Sequence, residues 1–477
     1  MSSHKEDDAK TSALFEYCHE HNVHFHKHVI PRRVPGRGLG MYAKAHIARG
    51  ERLANVPLTS LFTLDNIPQS FAAMKLRSKI PTHALLAAFF AFGPENALAS
   101  LEPWIATWPR YSEFAQGMPL LWPETDGSTI RKTSQATLLP PPLTGSYMSS
   151  GAGKNLRNNG STTLISSLRA KIAAHIASLE PILDAETYRE LSIPYSTTYY
   201  IYMHAWLCVN TRCFSYSPYG KKRPKDPNEA MALCPGMDLF NHSAEAGVET
   251  KHDRSSYHAV ATRDHQPGEE IFFNYGQHEN DVLWAEYGFL PDNNSEDAIR
   301  VDTIVLERVT EDQKKVLKDN GYLGQYWLNA SGVCYRSQVV AWMFLLDLRK
   351  WHAMLAGKYD PDRENEGRQG QVRSSSDRMT EAHLSLCAKW ALKVVEDCDA
   401  ALSTLNGMSS QTILELLGDR EDHLRTQDLA FDRADQDHAH YHNYRQAQAM
   451  GRLAMCSKRW TQIREMAHSA RDRITAS

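Results

Sequence analysis

The chain carries its strand-forming sequence in two short blocks that stand far apart, and that separation limits the available folds more than any other feature. The first block lies at about residues 23–57 and the second at about 230–275, while the 66–205 stretch between them is patterned for helices. In the first block Val23 to Val29 alternates as a strand does, Pro31 marks a turn, and the glycine-dense run from Val34 to Ala43 leads into a turn and short strand ending at Pro57. In the second, Met231 to Phe240, Tyr257 to Arg263 and Glu270 to Tyr275 read as strands, the last two separated by the turn from Asp264 to Gly268. A small β core split by a helical insert follows.

Helical patterns run through residues 11–22 (Leu14, Tyr17, Cys18), His83 to Phe92, Leu164 to Leu179 and Tyr199 to Val209, and again through Val339 to Met354, Glu381 to Leu405 and Tyr444 to Ala470. The expected fold class is α+β. Residues 1–30 form a lead-in helix and strand, 31–290 a mostly β core with its insert at about 66–205, and 291–477 a helical C-terminal domain. Pro140 to Leu143 and Ser149 to Thr163 are low-complexity stretches, and about 358–377 reads as a disordered loop.

A length of 477 residues exceeds what one hydrophobic core usually serves, and 42% apolar with 23% charged residues is ordinary globular usage. Lys plus Arg number 53 against 56 Asp plus Glu, a formal charge of -3, so there is no global basic field and no direct nucleic-acid partner is expected. The longest uncharged apolar run, Ala84 to Phe92, is about half of a bilayer crossing, so neither a transmembrane segment nor a membrane partner is expected. The amino terminus has no apolar signal core, so a place in the cytoplasm, the nucleus or both is expected. Lys221-Lys-Arg-Pro-Lys225 reads as a solvated loop or a nuclear-import signal. The eight cysteines are scattered, which predicts reduced, mostly buried thiols and neither a disulfide frame nor a zinc knuckle.

Three segments carry the chemistry, in this order: Gly36-Arg37-Gly38-Leu39-Gly40; Asp238-Leu-Phe-Asn241-His242-Ser243; and Gly268 to Gly276 with Tyr275, followed by Tyr287-Gly288-Phe289. Together they resemble a SET-domain methyltransferase. The helical insert and tail resemble the subclass typified by the plant Rubisco large-subunit lysine methyltransferase. The resemblance spans about 31–65 and 200–290, with Trp206 to Phe214 as a supporting piece.

That resemblance implies S-adenosylmethionine as cofactor, with Arg37, Gly38, Leu39, Gly40, Asn241, His242, Tyr275 and Phe289 around it. Glycine lets a backbone approach a ligand without a Cβ in the way. The family's acidic or polar residue before this Gly is Arg37 here, so the backbone carries the expected contact. Amide and imidazole groups can meet a ligand's polar edge while staying uncharged, which suits a cofactor that already bears a sulfonium. For the acceptor side the resemblance implies Thr211 and Arg212, whose backbone lines a lysine channel, Asp238, whose carbonyl lies beside Tyr275, and Tyr257 and Tyr287 in the wall.

Tyr275 is the expected catalytic residue. Methyl transfer needs a neutral amine, yet a free lysine with a pKa of about 10.4 is protonated at neutral pH. A poorly hydrated aromatic channel disfavours the ammonium, and a phenol oxygen orients the nitrogen and contacts the polarised methyl. The expected function is thus methylation of a protein, with a lysine of a non-histone substrate as acceptor, possible ribosomal or translation-related substrates by family resemblance, and recognition by the tail. Histidine as acceptor, and a catalytically silent SET fold serving as a binding module, stand as alternatives. A metal-dependent hydrolase would rest on the histidine trios at 24, 26, 28 and 438, 440, 442, read as alternating strand positions, but no ligand set completes either, so no metal is expected. Gly151-Ala-Gly-Lys154-Asn155 lacks the first glycine and the Ser or Thr of a phosphate loop.

Overall fold

A computed structural model describes residues 2–34, 38–122, 138–144, 163–218, 224, 226, 229–361, 375–431 and 438–476. Gly36, Arg37, Ser149 to Ser161, the 151–155 stretch, most of the Lys221–Lys225 run and most of 358–377 lie outside these residues; 375–377 are already helical.

The two strand blocks meet, giving the α+β fold expected from their spacing. In the first sheet β1 (His24–Phe25), β4 (Arg52–Pro57), β8 (Ser256–Ala261) and β7 (Val248–His252) are neighbours in the order β1-β4-β8-β7, with Val56 opposite Tyr257. In the second, β2 (Val29–Val34), β3 (Gly38–Ala43) and β9 (Glu270–Ile271) are antiparallel, with Met41 opposite Ile271 and Tyr42 opposite Glu270. Each sheet thus joins residues more than 200 positions apart. A pair, β5 (Cys213–Ser215) with β6 (Met231–Leu233), closes the end of the insert, and a third sheet of β10 (Ala298–Arg300), β11 (Trp327–Asn329) and β12 (Gly332–Val333) begins the C-terminal region.

Several strands are shorter or placed differently than the sequence suggests. Pro31 lies inside β2, opposite Met41, and is no turn; β2 is an edge strand, where a residue without N–H costs no ladder bond. The expected strand from Met231 stops at Leu233, because Pro235 is followed by Gly236 in the left-handed region (φ 78°) and a single helical turn, Met237–Leu239. The expected strand to Tyr275 is laddered only at Glu270–Ile271.

Within the insert the Thr82–Phe92 helix is apolar on all sides, as a fully enclosed helix should be, and packs along the Thr197–Arg212 helix. His83 and Trp206 stack between them, with ring centroids 4.4 Å apart. His83 Nε2 lies 3.0 Å from the Trp206 carbonyl, and the Trp206 indole N–H donates to His175 Nδ1 at 3.1 Å. In the C-terminal region the Ser375–Asn406 and His438–Ala476 helices run together as a long pair. The latter makes the 438–442 histidines helical neighbours, correcting their reading as strand positions. All eight cysteines are free thiols, six of them buried. Among the described residues no helix is long and apolar enough to cross a membrane.

Candidate active site

Asn241 joins the motifs. Its amide Nδ2 donates to the Leu39 carbonyl (3.1 Å) and to Glu270 Oε1 (2.8 Å), while the Tyr42 hydroxyl donates to Glu270 Oε2 (3.0 Å). Gly40 makes the meeting possible, since a Cβ there would stand 2.5 Å from Glu270 Oε1 and 2.7 Å from Asn241 Nδ2. Gly38 serves differently: its φ of 76° favours glycine, and a Cβ would meet nothing within 4 Å among the described residues, so no described side chain crowds the backbone there. Glu270, which sequence reasoning left unassigned, is a carboxylate buried in a two-residue strand. An acidic residue in so apolar a setting is the signal that could have singled it out.

Backbone pairing brings the third segment to the second. The Phe273 N–H donates to the Asn241 carbonyl (2.8 Å) and the Ser243 N–H to the Phe273 carbonyl (3.0 Å), a parallel bridge centred on His242 and Phe273. This sets Tyr275 against His242: the Tyr275 N–H donates to His242 Nδ1 at 3.0 Å. With Nδ1 accepting, the neutral imidazole carries its proton on Nε2, and that buried N–H has no hydrogen-bond partner among the described residues.

The Tyr275 hydroxyl donates to the Phe240 carbonyl at 2.7 Å. Its one proton is thereby committed, and its lone pairs remain to accept. Burial pushes the phenol above its ordinary pKa of 10, with Asp238 and Glu270 adding to the shift and Arg212 opposing it, so it is neutral at physiological pH. Around it the ring centroid of Tyr287 lies at 5.3 Å and that of His242 at 5.2 Å; Phe289 is 6.1 Å from His242 and 6.4 Å from Tyr287. Tyr287 is the last residue of the Asn280–Tyr287 helix, which Gly288 ends in the left-handed conformation (φ 83°), turning Phe289 back to the cluster.

Of the expected acceptor-side residues, Tyr287 stands beside Tyr275, Arg212 meets Asp238, and Tyr257 lies farther off. Thr211 and Arg212 end the Thr197–Arg212 helix; Thr211 Oγ1 donates back to Leu207 and Arg212 Nη1 to both the carbonyl and Oδ2 of Asp238, at 2.9 and 3.1 Å. The Asp238 carbonyl is therefore taken by Arg212, and the carbonyl at the Tyr275 hydroxyl is that of Phe240: the 3-10 turn Met237–Leu239 rotates the former away. Asp238 Oδ2 also accepts from the Trp104 indole (3.0 Å), a contact from the insert that no local pattern announces. Tyr257, in β8, has ring contacts with Phe214 and His252, and reaches Tyr275's neighbourhood by way of Phe214 and Phe273. Among the described residues Arg212 Nε and Asp238 Oδ1 are buried without partners, like His242 Nε2. Such atoms at one site mark where a polar ligand would complete the hydrogen bonding. Among the described residues no group of three or more His, Cys, Asp or Glu is placed to hold a metal ion.

Burial, with His278 nearby, lowers the His242 pKa to about 4; burial and Lys171 lower His175 to about 4 and hold His83 well below 6.5. The unfolded chain takes up the His242 and His175 protons as pH falls through about 6.5, and the folded chain only near 4, so the stabilisation from these two is complete above 6.5 and is lost between 6.5 and 4. We expect a loss on the order of 2 kcal/mol per histidine across that window. Thermal melts from pH 7 to 4.5 check this, and a flat melting temperature would contradict it.

The ribosomal lysine N-methyltransferase set11 of Schizosaccharomyces pombe is 37% identical over 134 residues, a match spanning 28% of this chain and 34% of that protein. The human SET domain-containing protein 4 is 23% identical over 80% of each chain. Among solved structures, the SET domain of LSMT bound to lysine and AdoHcy superposes over 98% of this chain and 90% of its own with a TM-score of 0.50 at 15% identity, which extends the shared fold through insert and tail. The SET domain model matches residues 38–276, half of the sequence and the stretch that holds the Gly38–Gly40 strand, Asn241 and Tyr275, and on that match the chain belongs to the SET-domain family.

Proposed function

We propose that this chain is an S-adenosylmethionine-dependent protein-lysine N-methyltransferase acting on a non-histone substrate of the ribosomal or translation-related class. The observation that carries the reading is the Tyr275 hydroxyl, which is neutral, donates to Phe240 and has its lone pairs left within an aromatic cluster. The cofactor fits the described residues: a backbone that none of their side chains crowds at Gly38, an imidazole N–H on His242 that none of them pairs, and an uncharged amide at Asn241. Gly38, Leu39, Gly40, Asn241, His242, Tyr275 and Phe289 would hold it, with Thr211, Arg212, Asp238, Tyr257 and Tyr287 on the acceptor side. When bound, the cofactor would supply an electrophilic methyl group to a neutral amine, its sulfonium leaving as a neutral thioether.

The chain's own residues then have definite tasks. A phenol whose pKa lies above 10 does not take the lysine proton at neutral pH, so Tyr275 orients the amine rather than deprotonating it. Tyr287 and Phe289 thin the water around the nitrogen and so disfavour its charged form. Arg212 balances the buried Asp238 carboxylate, limiting how far that charge would hold the ammonium. Lysine as acceptor, and the ribosomal class of substrate, are supported by the name of the fission-yeast relative.

Incubation of the purified protein with methyl-labelled S-adenosylmethionine and unmethylated ribosomal proteins should label one or a few lysines; label absent from every protein despite cofactor binding would overturn the reading. Asn241→Ala removes one donor from Glu270 and one from the Leu39 carbonyl, a cost of about 1 to 3 kcal/mol. Calorimetry should show cofactor affinity reduced about tenfold or more, and equal affinity would refute the role of Asn241.

A further inference from the structure

An amide's two ends have nearly the same shape, so what a site reads from an asparagine depends on which way its partners turn it. Asn241 has two amide hydrogens, and both are committed: one to the Leu39 carbonyl and one to Glu270 Oε1. Reversing the amide would set its oxygen against two acceptors, one of them a carboxylate. Asn241 Oδ1 therefore points away from Glu270, and it accepts no hydrogen bond from the described residues. Glu270 is in turn fixed by its own strand pairing to β3, by the Tyr42 hydroxyl at 3.0 Å and by the missing Cβ of Gly40. Its carboxylate is 7% exposed and touches the first and second motifs at once.

Resting on the methyltransferase reading, we propose that Glu270 is a positioning residue for the cofactor: it holds the Asn241 side chain in the single orientation that presents an acceptor oxygen to the ligand's ammonium group and ties that oxygen to the Gly38–Gly40 strand. The role needs the acceptor capacity of the Glu270 side chain. Glutamine keeps one carbonyl oxygen for Asn241 and turns its NH2 toward Tyr42, whose hydroxyl can accept. Alanine keeps neither. Gly40→Ala keeps every polar group but drives a methyl between Glu270 and Asn241.

The test is calorimetric titration of S-adenosylmethionine and of S-adenosylhomocysteine, both of which carry the ammonium, into wild type, Glu270→Ala, Glu270→Gln and Gly40→Ala, each corrected for its folded fraction from thermal melts. Glu270→Ala and Gly40→Ala should bind both ligands about tenfold or more weakly, and Glu270→Gln should recover to within about threefold of wild type. A lower melting temperature with unchanged affinity per folded molecule would mean a purely structural Glu270 and overturn the inference. Gly40→Ala supplies the same answer where Glu270→Ala does not fold. A wild-type chain that binds neither ligand would overturn the methyltransferase reading itself, whereas wild-type binding that both Glu270→Ala and Gly40→Ala retain would overturn this inference alone.

Discussion

Tyr275→Phe is expected to lose methyl-transfer turnover by about 10² to 10³ while binding cofactor as the wild type does. The substitution keeps the ring and hence its contacts with His242 and Tyr287, at 5.2 and 5.3 Å, and the backbone N–H still reaches His242 Nδ1. What it removes is one oxygen, the hydroxyl anchored to the Phe240 carbonyl. If that oxygen meets the amine and the transferring methyl chiefly in the transition state, the loss falls on turnover and not on affinity. Stability should drop by only about 1 kcal/mol, the usual worth of one neutral hydrogen bond. Single-turnover methyl transfer measured beside thermal melting decides the matter: unchanged turnover per folded molecule would make Tyr275 a core residue and nothing more.

Arg459→Ala should destabilise the whole protein by about 3 kcal/mol, because it strands the buried Asp281 carboxylate and takes the cation from the half-buried Asp297. Arg459 is fully enclosed and sits on the His438–Ala476 helix, far along the chain from its partners. It holds Asp281 through Nε and Nη2, at 3.0 and 2.6 Å, and Asp297 through Nη1 and Nη2, at 2.6 and 3.0 Å. Burial pushes the Asp281 carboxyl above its usual range, and Arg459 is what pulls it back. Urea unfolding of Arg459→Ala, and of the same change combined with Asp281→Asn and Asp297→Asn, tests the cause. The combined variant should recover part of the loss, since it removes the uncompensated charges; equal stability of wild type and Arg459→Ala would contradict the account.

The last helix has further contacts of this kind. Sequence motifs for the cofactor end at Phe289, which suggests that residues beyond about 330 recognise the substrate or support the SET core and are not needed to bind cofactor. Lys458 donates to the Leu290 carbonyl, Gln462 to Pro291, Trp460 to Leu138 and Arg452 to Ala115, so the last helix is packed into the core region and the insert together. Asp281 belongs to the helix that ends in Tyr287. The tail therefore braces an aromatic wall of the candidate site, and a chain cut near 330 is expected to lose that helix's anchor along with any recognition surface.

The sequence by itself determined the fold class and the cast of the site. Two strand blocks separated by a helical stretch required a split β core, because short strands bury their faces only against each other, and the blocks are indeed paired through β3 with β9 and β4 with β8. The Gly38–Gly40, Asn241-His242 and Tyr275 motifs were visible because their chemistry needs particular residue types at short local spacing. The tertiary structure alone decided which atoms of those residues are spoken for. That Asn241 spends both amide hydrogens inside the protein, that Phe240 and not Asp238 receives the Tyr275 hydroxyl, and that Trp104 and Arg212 share Asp238 all depend on contacts across 26 to 202 positions of sequence. Local periodicity carries no record of such pairings. Glu270 and Arg459 escaped notice for the same physical reason: a charged residue reads as solvent-facing until the partners that permit its burial are in place.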